Sequence, residues 1–338
     1  MRTRGIKTDY EGALKLSRAA IAMLHEKCPP FNKDNLFPDA IVPEGMKCGS
    51  QEHLVYLFHS ISIDSMRQAN KVYEAMQDLS KYFCGNFSRL ASMERNELEA
   101  RLLPHFGNSV IDARSSMTDP VGTLIENAQR LEQEYAGDPS RILQGNSVWK
   151  TIEAIDAFRQ YGVPKAALLM KNYVRIKTWP FTEYEIPIKI DRHLLRISLS
   201  CGIINPLDYA ENIDWKGKLP KALVNAREQL IRIGHYTQED FEQGKVKLVR
   251  GDKFIVPLTR TYMKVTKNNG ISAVDLDDAK WAIGAYLCKL NDGLMCGTSC
   301  KLLCPTRYPS DNNAVWFFLD VDKRKEPDNL FTRARKSK

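Results

Sequence analysis

No apolar run in this chain approaches the roughly 20 residues that a membrane-spanning helix requires. A bilayer-spanning role is therefore not expected. The opening Met1-Arg-Thr-Arg-Gly-Ile-Lys7 lacks the apolar core of a secretory signal. Internal repeats and long low-complexity tracts are also missing, which argues against a solenoid or a disordered linker protein. Four of the eight cysteines (Cys28, Cys48, Cys84 and Cys201) are scattered, so a secreted disulfide framework is not expected. The expected setting is a reducing one, cytoplasmic (nucleoid) or nuclear.

What is present fits a soluble globular chain: 338 residues, 43% hydrophobic and 27% charged. That length holds one large or two small domains. The formal net charge is +8, which favours polyanionic partners, although many basic proteins bind none.

The other four cysteines crowd into one segment. Cys288-Lys-Leu-Asn-Asp-Gly-Leu-Met-Cys296-Gly-Thr-Ser-Cys300-Lys-Leu-Leu-Cys304 has the spacing C-x7-C-x3-C-x3-C, followed by Pro305. Four thiolates from one short loop suit a [4Fe-4S] cluster, which takes four cysteine ligands. Structural zinc also takes four, but usually as two separated C-x2-4-C knuckles. Zinc and unliganded thiols remain the alternatives. The preceding run, Asp277 to Cys288, reads as a helix that delivers the first ligand.

Elsewhere the periodicity is helical. Helices are expected over Tyr10–Glu26, Gln51–Asp64, Asn96–Leu103, Pro120–Tyr135, Trp149–Phe158 and Leu219–Ile231. Asp64 is expected to cap a further helix running on to Met76. Gly162-Val163-Pro164-Lys165 opens another, with Pro in its first turn. Asp191 follows an extended stretch and opens the helix Asp191-Arg-His193-Leu-Leu-Arg196-Ile197, where it reads first as an N-cap. Between 171 and 189, basic residues interleave with Tyr173, Trp179, Phe181 and Tyr184; they could stack nucleic-acid bases or form a packed surface loop. Phe254–Pro257 and Thr261–Thr266 read as short strands or helix starts.

Taken in order, these segments resemble the helix-hairpin-helix DNA glycosylases of the endonuclease III and adenine-mismatch glycosylase group. Ile190-Asp191-Arg-His193-Leu-Leu-Arg196-Ile197 resembles that family's V-D-T-H-V-x-R-V. The cysteine segment resembles its C-terminal cluster loop, although the family spacing is C-x6-C-x2-C-x5-C. The helix ending in Asp64 resembles its L-L-S-x-Q-x-x-D pattern, with Ile61 where the family has Gln. Gly162-Val163 stands where the family carries its hairpin, L-P-G-V-G-x-K.

The resemblance implies an all-α, two-lobed fold with a cluster loop and an insertion of uncertain structure. One lobe would be a helical bundle over 50–185. The other would join 1–49 to 186–310, with an inserted segment at 205–275, and 311–338 would be a C-terminal extension with a basic tail. It implies a DNA N-glycosylase that flips out a damaged, mismatched or modified base from double-stranded DNA and works as a monomer. Asp191 would be the catalytic carboxylate. Gly162, Val163, Lys165, Lys289, Lys301 and Arg307 would contact DNA, and Cys288, Cys296, Cys300 and Cys304 would hold the cluster. Lyase members use a lysine at the start of the second hairpin helix. Ungapped alignment puts Ala166 there, one residue past Lys165, so hydrolysis without strand cleavage is expected; a one-residue shift would restore Lys165 as a Schiff-base lysine. The alternatives are an N-glycosidase of a modified nucleotide or RNA, and a non-catalytic iron–sulfur DNA-binding protein.

Overall fold

A computed structural model of the protein describes residues 5–33, 36–64, 67–114, 116, 118–288 and 316–320. In chain order it runs α1 (Tyr10–His25), α2 (Gln51–Ile63), α3 (Ala69–Phe83), α4 (Arg95–Phe106), α5 (Ser109–Asp112), α6 (Pro120–Tyr135), α7 (Val148–Asp156) and α8 (Val163–Arg175). It continues through α9 (Arg192–Ser200), α10 (Lys221–Arg232), α11 (Gln238–Glu242), β1 (Val246–Arg250), α12 (Ile255–Asn269), α13 (Ala273–Ala282) and β2 (Trp316–Asp320). The chain divides into two compact units, Asn35–Lys189 and Met1–Asp34 with Ile190–Lys338.

The first unit is built around α2. Ser50 starts this helix, its side chain accepting from His53 N at 3.3 Å. Every residue from His53 to Ile63 is buried, so α2 is enclosed by neighbours on all of its faces. Complete burial of a side chain such as Phe58 or Leu57 contributes about 2 kcal/mol. Ile61 is fully buried core. Three donors from residues 161–173 reach carbonyls on α2. Tyr173 donates to Leu54 O at 2.7 Å, Tyr161 to Phe58 O at 2.6 Å, and Lys165 Nζ to Ser62 O at 2.6 Å. Residues 54, 58 and 62 are four apart and share one side of the helix, so these bonds form a ladder along it.

Punctuation in this unit follows local chemistry. Asp119 caps α6 by accepting from Val121 N at 3.1 Å, and Pro120 occupies the first turn, where no N–H is missed. α6 ends with Ala136 in the left-handed region and Gly137 at φ 74°. Asp64 does not cap the next helix as expected. It sits directly after α2, and α3 begins at Ala69 behind Gln68.

In the second unit, α1 packs with α12 and α13. Asp9 caps α1 by accepting from Gly12 N at 3.0 Å. A small separate core forms here: Trp215, Leu223, Leu230, Phe241, Leu248 and Phe318 cluster around the strand pair. β1 and β2 are antiparallel, with Val246 opposite Asp320 and Arg250 opposite Trp316. The fold is thus mostly helical, with one two-stranded sheet among the described residues. Phe254–Pro257 and Thr261–Thr266 are not strands; Phe254 immediately precedes α12, and the rest lie within it.

Candidate functional site

Asp191 opens α9 from an extended backbone (φ −96°, ψ −175°). In the stretch leading to it, Ile186, Pro187, Ile188 and Ile190 are buried. Its Oδ1 accepts from His193 N at 2.8 Å and Leu194 N at 3.1 Å. Two N–H donors and the positive end of the helix dipole favour the ionised carboxylate. The side chain is half-buried. A fixed, charged carboxylate at this point can stabilise positive charge or polarise a water.

The rest of the motif ties α9 to the turn before the first clustered cysteine. Arg196 is 5% exposed and donates through Nη2 to Gly284 O at 2.8 Å. The same nitrogen lies 3.4 Å from His193 Nδ1. Gly284 sits in a π-helical turn, Ile283–Leu287, that ends at Cys288. A Cβ on Gly284 would lie 2.4 Å from the Cβ of His193, so only glycine lets the two segments approach this closely. Asp191 and Cys288 therefore belong to one braced assembly, held by Arg196, His193 and Gly284. Cys288 is half-buried, is a free thiol, and its N–H donates to Ile283 O at 2.8 Å. A thiol presented at the end of a helical turn suits a cluster ligand. Cys296, Cys300 and Cys304, with Lys289, Lys301 and Arg307, lie outside the described residues.

Gly162 is the N-cap of α8, at φ 100° and ψ 158°, a conformation open in practice only to glycine. Val163 and Pro164 form the first helical positions, and Pro164 brings no N–H. Lys165 follows on the same turn, in the first unit, whereas Asp191 belongs to the second.

Lys165 is not a solvated side chain. It is 8% exposed, with Nζ held on Ser62 O. Burial pushes its pKa down to about 7; Asp64 opposes the shift, and Lys189 and Arg67 add to it. Asp64 is shared, its Oδ2 standing 3.4 Å from Lys189 Nζ. Further along α8, Lys171 is also buried but pairs directly with Asp39 at 2.9 Å. The contrast explains why Lys165 is the lysine of α8 whose charge is held so weakly.

A third buried lysine gives no sign in the sequence. Lys280 on α13 is fully buried, its Nζ 3.1 Å from the Tyr262 ring centroid, and burial holds its pKa well below the usual lysine range. Tyr262 in turn shares a 2.8 Å hydrogen bond with Ser198 on α9. Among the described residues, no group of three or more His, Cys, Asp or Glu side chains is placed to hold a metal ion. No described helix is long and apolar enough to cross a membrane. Comparison of the chain with family models, curated proteins and solved structures found no match in any of the three.

Proposed function

We propose that the protein is a DNA N-glycosylase that removes a damaged, mismatched or modified base from duplex DNA by hydrolysis, acting as a monomer. The observation that carries this reading is the bracing of the Asp191 helix onto the turn that ends at Cys288, through Arg196 and Gly284. The Asp191 motif and Cys288, the first of the clustered cysteines, belong to one packed assembly.

A base stacked in a duplex must first be extruded for its glycosidic carbon to be reached. As the base leaves, positive charge develops on the sugar. The Asp191 carboxylate, fixed by two backbone N–H groups, stabilises that charge or activates the attacking water. The net charge of +8 favours the phosphate backbone as partner. A [4Fe-4S] cluster held by Cys288, Cys296, Cys300 and Cys304 would order the segment carrying Lys289, Lys301 and Arg307, and would supply no bond-breaking chemistry. Gly162 and Val163 would bring the start of α8 toward a phosphate.

One observation favours a second reading, an N-glycosidase of a modified nucleotide or RNA. Pro164 removes an N–H from the first turn of α8, which weakens that turn as a duplex phosphate cradle.

Lys165 bears on the fate of the strand. A neutral fraction near pH 7 makes its amine nucleophilic. Burial and the bond to Ser62 O instead make it the last rung of the ladder on α2. The expected product is therefore a free base and an unbroken strand with an abasic site. Borohydride added during turnover should trap no covalent protein–DNA adduct. A trapped adduct that disappears in Lys165→Ala would show that Lys165 attacks the sugar and that hydrolysis by water is the wrong mechanism.

A further inference from the structure

A cleft of about 500 Å³ lies wholly within the Asn35–Lys189 unit. It forms where the first turn of α2 meets the C-terminal ends of α3 and α6. Phe87, Val55 and Leu131 give it an apolar lining; Glu52 and Glu132 are its carboxylates, both exposed. No lysine or arginine lines it, although the chain as a whole carries +8.

The carboxylates lie against the helix ends. Gly85 follows the end of α3 at φ 79°, and a Cβ there would meet Glu52 Cδ at 3.3 Å. Gly137 follows the end of α6 at φ 74°, and a Cβ there would meet Glu132 Oε1 at 2.7 Å. Glycine is needed at both places for its backbone angle and for the closeness of the carboxylate. Helix C-termini carry the negative end of the dipole, and Glu132 stands at that of α6. Glu52 belongs to the first turn of α2, behind the Ser50 cap, and faces the end of α3 at Gly85.

His59 adds an independent sign of a ligand. It lines the cleft and is 1% exposed, and its Nδ1 has no hydrogen-bond partner among the described residues. Burial pushes its pKa down to about 3, so at neutral pH it contributes no positive charge. The described residues offer no cage for a bare metal ion, and the volume is that of an organic ligand.

We propose that this cleft binds a small organic cation, an amidinium, guanidinium or ammonium group on an apolar body. The charge would sit at Glu52 and Glu132 and the body on Phe87, Val55 and Leu131. The site is separate from base excision and uses neither Asp191 nor Lys165.

Calorimetric titration of the full chain with benzamidine, benzamide and benzoate tests it. Benzamidine should bind, and benzamide, with the same shape and no charge, should bind roughly tenfold more weakly. Benzoate should not bind. Glu52→Gln and Glu132→Gln should each weaken benzamidine several-fold, and the double variant should hold it no better than benzamide. Melting curves should be unchanged, because both side chains are exposed. Equal binding of benzamidine and benzamide, unaltered binding in the double variant, or no binding of benzamidine at millimolar concentration would overturn the proposal.

Discussion

Asp191→Asn should lower base release by on the order of 10³-fold while leaving the fold and DNA affinity close to those of the parent. The prediction separates two roles that one residue holds together. As a cap, Asp191 accepts from His193 N and Leu194 N through Oδ1. Asn is as good a cap as Asp, so the start of α9 should survive, with stability changed by less than about 1 kcal/mol. As a charge, however, the carboxylate has no substitute in the amide. Asp191→Ala loses both and should melt earlier as well. A melting curve and a binding isotherm beside the activity assay distinguish these outcomes. An Asn variant that turns over like the parent would reduce Asp191 to a helix cap and assign the chemistry to a different catalytic group.

The purified protein should be brown and carry about four irons per chain. Serine at Cys296 or Cys300 should abolish the colour and most of the solubility together. The reason lies in the bracing at Cys288. Its turn is packed against α9 through Gly284 and His193. Without a cluster to fold around, the cysteine segment carries four large apolar residues, Leu294, Met295, Leu302 and Leu303, that favour aggregation. A colourless protein containing zinc when prepared without oxygen would assign the four cysteines to a different metal.

Helices whose ends carry their own chemistry were legible in the sequence. α6 begins at Asp119-Pro120 and ends before Gly137, and its expected bounds of Pro120–Tyr135 match the structure. Asp191 was legible as an N-cap because an extended apolar run stops there and a helical pattern begins. Asp64 misled because an Asp between two apolar helices looks like a cap from either side. Nothing local distinguishes the end of α2 from a start four residues later, behind Gln68. β1 was missed for a different reason: five residues of strand are specified by their partner, and Trp316–Asp320 is remote in the chain. The state of Lys165 was also hidden. Lys-Ala-Ala-Leu-Leu-Met reads as one polar position before an apolar face, but α8 is buried nearly all round. The acidic cleft needs three helix ends from separate segments, a juxtaposition that no short pattern encodes.

The most direct measurement is a screen of duplexes, each carrying a different damaged, mismatched or modified base, for abasic-site formation by the iron-loaded protein. RNA and free modified nucleotides run in parallel. At least one duplex should yield abasic sites on an unbroken strand, with the free base released and no activity from Asp191→Asn. Base release from RNA or nucleotides alone would move the substrate away from DNA. Protein that retains its cluster and binds duplex DNA, yet releases no base from any member of the panel, would contradict the account.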